Sequence, residues 1–171
     1  GNALLDAYCQ EYLNLPYDED GELAKNGKVH TPSLKRMLNH PFFKQRHPKS
    51  TGKELFNMHF IPKQLFKRSP NDILATLTEL TAICIAKCLR SQKKSPSKVI
   101  LCGGGFKNKF LINSIQRHTK IVLNSSNEFG FDPQAIEAMA FGWMAYQRIY
   151  KNPLNVNGKR GLLGKITKTK Q

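Results

Sequence analysis

The sequence predicts an α/β fold in which helices pack against a parallel or mixed sheet. Two short runs rich in apolar residues, 98–102 and 120–123, have the length and composition of strands. Each run is followed by a segment with helical spacing, 107–118 after the first and 133–150 after the second. Strands that alternate with helices in this way favour a layered α/β architecture. The length of 171 residues and the hydrophobic content of 40% are enough to bury such a core.

The amino-terminal part is predicted to contain two helices separated by turns. Residues 2–15 enter a helical pattern at once, with Asn2 in the position of an N-cap. A polar stretch follows, and a short helix is predicted from Thr31, with Pro32 at its first position, to about Asn39. The stretch HPFFKQRHPKSTGKE is dense in proline, glycine and basic residues and is predicted to be a loop.

The longest periodic segment, from Asn71 to about Ser91, predicts a core helix. Its apolar residues fall on one stripe and directly beside it, as expected for a helix with a buried face. The residues of the stripe are Ile73, Leu77, Leu80, Cys84 and Cys88. The threonines of its ATLTELTA run are expected to hydrogen-bond back to their own helix, with a role at a cleft as the alternative.

The last predicted helix begins at Pro133, has Asp132 as its cap and carries small residues typical of close packing. Glu137 is a carboxylate one turn inside this otherwise apolar helix. A lone glutamate there is usually a solvated or capping group, and contact with a substrate is the alternative. Residues 153–171 are predicted to form a basic tail.

Charge and cysteine content narrow the class of protein. The 27 lysines and arginines against 12 acidic residues give a net charge of +15. They are scattered, which favours a solvated lysine-rich surface over a nucleic-acid footprint, although the second reading stays open. No apolar run approaches the ~20 residues of a membrane span and no signal peptide is visible, so a cytoplasmic protein with reduced thiols is expected. Cys84 and Cys88 would need two more ligands to hold zinc, and no metal site is predicted.

Three consecutive glycines, Gly103, Gly104 and Gly105, stand where the predicted strand 98–102 turns into a helix. Backbone N–H groups at such a turn lie at the carboxyl edge of the sheet, where nucleotides commonly bind. Glycine allows the ligand to approach the main chain, because there is no Cβ. The alternative is a tight turn that needs glycine for close packing.

The stretch HPKSTGKE resembles a phosphate loop only superficially. It is not a Walker A loop, because no serine or threonine follows Lys53 and because His47 stands where the first glycine is required. Ser50, Thr51 and Gly52 are expected instead to cap a helix that begins near Lys53.

Five parts of the sequence together resemble the anhydro-N-acetylmuramic acid kinase family, of the actin-like ATPase and sugar-kinase superfamily. In family order they are GNALLDAY (1–8), HPFF with HPKSTGKELFN (40–43 and 47–57), DILATLTELTAICIA (72–86), LCGGGFKN (101–108) and FDPQAIEAMAFGWMA (131–145). PKSTGKE and the ATLTELTA helix are specific to the family. The resemblance implies an actin-like ATPase (ribonuclease H-like) lobe, a mixed sheet with packed helices, in which residues 1–152 are the carboxyl-terminal nucleotide-binding lobe of a two-lobed kinase.

The resemblance also implies a reaction and its ligands. With ATP and Mg²⁺, the family transfers the γ-phosphoryl group to O6 of 1,6-anhydro-N-acetylmuramic acid while water opens the anhydro ring, giving N-acetylmuramic acid 6-phosphate for peptidoglycan recycling. Carried across, Gly1 and Asn2 would bind the ATP phosphates, and Glu137 is a candidate for holding the sugar. The implied adenosine-binding residues are Gly103, Gly104, Gly105 and Asn108.

Other implied parts lie outside this chain. The family's catalytic aspartate belongs to a run that ends in the Gly-Asn pair, so it is expected just upstream of Gly1, and the amino-terminal lobe would be on the same or a separate chain. The fragment alone is therefore expected to be inactive, and a homodimer is a further expected partner. The alternative is an inactive remnant or split-gene half that serves as a binding module, for nucleic acid among others. The stretch NVNGKRGLLGKI departs from the family's Thr-Gly-Ala pattern.

Overall fold

The computed structural model describes residues 2–46, 49–92, 96–156 and 158–167, and it is mixed α/β, mostly helical with small sheets. The α-helices in these ranges are α1 (Ala3–Tyr8), α2 (Glu22–Lys25), α3 (Thr31–Leu38), α4 (Pro41–Lys44), α5 (Pro70–Arg90), α6 (Lys109–Thr119) and α7 (Ile136–Ile149). The strands are β1 (Lys98–Leu101), β2 (Val122–Ser125), β3 (Leu154–Val156) and β4 (Lys159–Gly161). The mixed α/β class predicted from the sequence is thus confirmed.

A β-α-β unit forms the part of the fold that carries the glycine run. β1 and β2 pair in parallel, with Lys98 opposite Val122 and Leu101 opposite Ser125. Parallel neighbours need a crossover connection, and α6 supplies it. The second strand begins two residues later than predicted, because α6 continues to Thr119 and ends at Lys120, whose left-handed backbone (φ 55°) prevents an earlier strand.

The helix α5 is the centre of the core and lies within one residue of its predicted bounds. Ser69 caps it by accepting a hydrogen bond from the Asp72 N–H, and Pro70 occupies its first turn. Residues 73–78 of this helix are buried, whereas Cys88 near its end is exposed. The hydrophobic cluster around it includes Leu4, Leu5, Tyr8, Cys9, Leu34, Met37, Ile61, Leu65, Ile73, Leu74, Leu77 and Leu80.

The threonines of α5 behave mostly as the sequence predicts. The Thr76 hydroxyl donates to the carbonyl of Asp72 at 2.6 Å, and the Thr81 hydroxyl donates to the carbonyl of Leu77 at 3.0 Å. Thr76 also accepts the His30 N–H at 2.9 Å, which joins the segment before α3 to the core helix. These hydroxyls are therefore structural, as the back-bonding interpretation expects.

Thr78 is the exception, because its hydroxyl is buried and has no hydrogen-bond partner among the described residues. A buried polar group without a partner costs free energy that an apolar group of the same shape does not. We expect Thr78→Val to raise the free energy of unfolding of the full-length gene product by about 1 kcal/mol, measured by urea unfolding. A decrease after this substitution would mean that the hydroxyl has a stabilising partner.

The stretch predicted as a loop after α3 contains the short helix α4. His40 caps it, since its Nδ1 accepts the Phe42 N–H at 3.2 Å, and Pro41 stands at the first helical position. Phe42 and Phe43 then pack against Phe56 with ring centroids 5.6 and 5.7 Å away. The helix was missed because this aromatic packing, rather than the local composition, stabilises it.

The helix predicted from Lys53 is wrong, because residues 53–57 form turns. The Glu54 carboxylate folds back and accepts hydrogen bonds from the Gly52 N–H at 2.6 Å and from the Thr51 hydroxyl at 3.1 Å. These bonds hold Thr51 and Gly52, which were expected to cap a helix, in a turn instead. The next regular element is a 3₁₀-helix at Met58–Phe60. His47 and Pro48 lie outside the described residues.

The last helix also differs from its prediction. It begins at Ile136, because the Asp132 carboxylate accepts the Gln134 N–H at 2.9 Å and closes a turn over residues 133–135. Its predicted close packing is not observed in the described structure, where Phe141 is 69% and Ile149 is 65% exposed, since a two-stranded sheet offers little area to cover it. β3 and β4 form an antiparallel pair within the predicted basic tail, whose separation from residues 1–152 stays a prediction.

Candidate functional site

The glycine run forms an open turn at the end of β1. Gly103 has a positive φ of 77°, which favours glycine, and its N–H donates to the carbonyl of Pro133 at 2.7 Å. A Cβ added at Gly103 or Gly104 would have no heavy atom within 4 Å other than its chain neighbours. Close packing therefore does not require glycine at Gly104, and the surface above the turn is free to receive a ligand.

The turn lines a cavity of about 620 Å³ together with most of the other predicted site residues. Asn2 lies at one side of this cavity and Glu137, exposed in the first turn of α7, lines it as well. The predicted residues that share the cavity are Asn2, Gly103, Gly104, Gly105 and Glu137. Gly1, the other predicted phosphate-binding residue, lies outside the described part of the chain.

Asn2 points its side chain towards the turn instead of capping α1. Its backbone carbonyl accepts the Asp6 N–H at 2.8 Å, but its side chain makes no capping hydrogen bond, unlike the N-cap expected from the sequence. The Oδ1 atom is buried without a hydrogen-bond partner among the described residues and lies 3.5 Å from the position of a Cβ on Gly105. An unpaired buried acceptor beside an open turn fits a ligand that brings a hydroxyl or amino donor.

Asn108 has a structural role, and its adenosine-binding role stays a prediction. Its Oδ1 accepts the Leu111 N–H at 2.8 Å and so caps α6. It is 4% exposed and lines a neighbouring cavity of about 350 Å³, whose lining also includes Asn2, Asp6 and Gly104. Asn108 thus fixes the start of the helix that follows the glycine turn.

Two residues that the sequence interpretation did not propose for the site, Asp6 and Lys53, line the larger cavity as well. Burial raises the pKa of the Asp6 carboxyl above its ordinary value, against the opposing field of Lys53. Asp6 follows Asn2 by four residues on a helix, a spacing that places both on one face and could have indicated it. Lys53 gave no such signal, because it reaches the cavity from a distant segment.

The donor groups at the cavity suit a nucleotide accompanied by Mg²⁺. Mg²⁺ is usually bound by one or two carboxylates together with the phosphates of a substrate, and Asp6 and Glu137 are carboxylates of this cavity. Among the residues that the structure describes, no group of three or more His, Cys, Asp or Glu lies close enough to hold a metal ion alone.

The four cysteines are free thiols, and burial raises the pKa of Cys84 to about 11.

No helix in the described ranges is long and apolar enough to cross a membrane.

Comparison with known proteins gives one consistent result. Residues 1–167 match the family described as AnmK, anhydro-N-acetylmuramic acid kinase. The chain is 42% identical to an anhydro-N-acetylmuramic acid kinase of gamma-proteobacterium EBAC31A08, over 99% of this chain and 48% of that protein. It is 40% identical to the enzyme of the same name from Pseudomonas syringae pv. tomato, over 97% of this chain, and 39% identical to that of Mannheimia succiniciproducens, over 98%, in each case 48% of the relative. The chain thus spans about half the length of the curated relatives that it matches.

Proposed function

The chain belongs to the anhydro-N-acetylmuramic acid kinase family, and from this membership we propose that it is the carboxyl-terminal, ATP-binding lobe of such a kinase. The reaction phosphorylates 1,6-anhydro-N-acetylmuramic acid and opens its anhydro ring with water, giving N-acetylmuramic acid 6-phosphate. The observation that carries the proposal is the open glycine turn, which faces one cavity together with Asn2 and Glu137. The proposed fold is an actin-like ATPase lobe, whose sheet includes the β1-α6-β2 unit.

ATP supplies the γ-phosphoryl group in this proposal, and the chain's own residues hold the nucleotide. Gly103, Gly104 and Gly105 receive the adenosine, because a flat ligand can lie against a main chain without side chains. The side-chain Oδ1 of Asn2 accepts a hydrogen bond from a ligand hydroxyl or amino group, since no described residue donates to this atom. Phosphoryl transfer depends mainly on positioning and charge stabilisation, so an accurate platform of this kind is itself a catalytic contribution.

Glu137 is proposed to hold the sugar from the other side of the cavity. A carboxylate accepts hydrogen bonds from sugar hydroxyls and binds them more strongly than a neutral amide does. The remaining parts are assigned to the other half of the kinase. These are the catalytic aspartate that activates water and the first phosphate-binding loop, which the family resemblance implies upstream of Gly1.

We expect Glu137→Gln to raise the KM for the anhydro sugar about tenfold or more, which is the effect of losing a hydrogen bond to a charged group. The KM for ATP should change much less. Steady-state kinetics of the full-length gene product measure both constants. Glu19→Gln is the matched control, because Glu19 is an exposed glutamate that lines none of the cavities described here. Equal sugar KM values for the two variants would contradict the assignment of Glu137.

The proposed function itself is tested by incubating the full-length gene product with Mg²⁺-ATP and 1,6-anhydro-N-acetylmuramic acid. The expected product is heavier than the sugar by one phosphoryl group (HPO₃) from ATP and one water from ring opening. It forms in step with ADP, as mass spectrometry and a coupled ADP assay would measure. ATP hydrolysis without phosphorylated sugar would overturn the substrate assignment. Absence of nucleotide binding would overturn the kinase assignment and favour the alternative function, a binding module.

A further inference from the structure

The side chain of Lys49 is held in place by the short helix α4. Its Nζ atom donates hydrogen bonds to the carbonyl of Phe42 at 3.0 Å and to the carbonyl of Phe43 at 3.1 Å. The same atom lies 4.9 Å from the ring centroid of Phe42, within the range of a cation–π interaction. A lysine that is only solvated makes none of these contacts, so Lys49 ties its own part of the chain to α4.

The rings of α4 hold the chain again seven residues further on. Phe42 and Phe43 pack against Phe56, which itself packs against the hydrophobic core cluster. The carbonyls of α4 thus bind the chain at Lys49, and its rings bind the chain at Phe56. Residues 50–55, which contain the STG sequence, are therefore fixed at both ends to one short helix.

Hydrogen bonds inside this turn connect its two ends. The Phe56 N–H donates to the carbonyl of Gly52 at 3.1 Å. The Glu54 carboxylate accepts hydrogen bonds from its own N–H, from the Gly52 N–H and from the Thr51 hydroxyl, and these bonds lower the pKa of the Glu54 carboxyl below its ordinary value. Glu54 therefore stays charged at neutral pH and keeps the turn closed. A displacement at one end of the turn is passed along it, because the bonded residues move together.

Lys53 lies in this turn and brings a positive charge to the cavity of the glycine turn. Among the described residues that line this cavity, Lys53 is the only lysine or arginine, whereas Asp6 and Glu137 are carboxylates. The Lys53 ammonium forms no salt bridge or side-chain hydrogen bond with any described residue. Cationic groups next to a transferring phosphoryl group stabilise the charge that develops on it, provided that they are held in position.

We propose that Lys49 is a positioning residue of the kinase reaction, which fixes residues 50–55 on α4 and thereby holds the Lys53 ammonium at the nucleotide cavity. The proposal rests on the kinase function above and adds the residue that orients the cationic group. Lys49 does not line this cavity, so its contribution is made through Lys53. Because Lys53 acts on charge that develops during transfer, its displacement lowers kcat more than it weakens ATP binding.

The test measures steady-state kinetics of the full-length gene product and of its Lys49→Gln variant. We expect kcat to fall about tenfold to a hundredfold, the effect of a misplacement of about 1 Å, while the KM for ATP stays within a few-fold. Lys49→Arg should restore kcat to within a few-fold of the original value, because a guanidinium also donates to two acceptors and stacks on a phenyl ring. Lys44→Gln is the matched control, since Lys44 is an exposed lysine of α4 whose side chain contacts no described residue through a hydrogen bond or salt bridge. Its kcat should be unchanged.

A double substitution separates positioning from a general loss of stability. Lys53→Gln should lower kcat at least as much as Lys49→Gln does, and adding Lys49→Gln to it should lower kcat no further, because residues that act through one another are not additive. Urea unfolding gives the folded fraction of each variant, and kcat is taken per folded enzyme.

Three results would overturn the positioning role of Lys49. These are a kcat of Lys49→Gln equal to that of Lys44→Gln, a full further loss in the Lys53→Gln background, and a folded Lys49→Arg variant with no recovery of kcat. In each case the kinase function stands if the unsubstituted enzyme phosphorylates the sugar. If the unsubstituted enzyme phosphorylates no sugar, both proposals fail.

Discussion

Replacing Gly104 with valine should lower the affinity of the full-length gene product for ATP about tenfold to a hundredfold. The added side chain enters the cavity at the turn, and inserting atoms into space that a ligand fills costs about 1–3 kcal/mol or more. The folded protein should tolerate the change, because a Cβ at this position meets no atom within 4 Å and Gly104 does not have a positive φ. Calorimetric titration with ADP and ATP measures the loss.

The control for this substitution is Gly142→Val. A Cβ at Gly142 also meets no atom within 4 Å, but Gly142 lies in α7 and does not line the cavity of the glycine turn. We expect unchanged nucleotide affinity there, with similar thermal stability in both variants. Unchanged ATP binding in Gly104→Val would show that adenosine does not lie on the glycine turn, independently of the proposed sugar substrate.

Replacing Leu77 with alanine should reduce the free energy of unfolding by about 2–5 kcal/mol, the usual range for a buried leucine truncated to alanine. Leu77 is fully buried on α5, in the cluster that also holds α1 and α3. A loss of this size is a large part of the roughly 5–15 kcal/mol that stabilises a typical domain. Urea unfolding of the full-length gene product, followed by circular dichroism, measures it.

Cys88→Ala is the matched control, because Cys88 lies on the same predicted stripe of α5 but is exposed. Its effect should stay within about 0.5 kcal/mol, as for most surface substitutions. If Leu77→Ala and Cys88→Ala destabilised the protein equally, the core would not be centred on the amino-terminal part of α5. The contrast therefore tests where along the helix the core lies.

The elements predicted most accurately are those with local signals at their ends. The helix α5 was expected at 71–91 and is found at Pro70–Arg90, because the Ser69 cap and Pro70 are encoded next to each other. The start of α7 was misplaced, because Asp132 bonds to the N–H two residues ahead and closes a turn instead of opening a helix. An aspartate before a proline can either cap a helix or close such a turn, and the surrounding chain selects between the two conformations.

The candidate site was predicted in part. The glycine run was recognisable in the sequence as three consecutive glycines after a predicted strand. The structure brings Asn2 and Glu137 to the cavity that the run lines. Lys53 was discussed only in the comparison with a phosphate loop and as the start of a helix that does not form. It belongs to a segment whose position depends on its packing against α1 and α5, so no local pattern could place it.

The sequence by itself determined the family, the α/β class, the core helix and the glycine turn, because each depends on residues that are close together in the chain. Tertiary structure alone decided that α1, the turn after the STG sequence and the glycine turn meet around one cavity. Their meeting brings together Asp6, Lys53 and Gly104, which are separated by tens of residues. Local sequence controls backbone conformation, whereas the groups that share a cavity are selected by burial of the common core, which no single segment encodes.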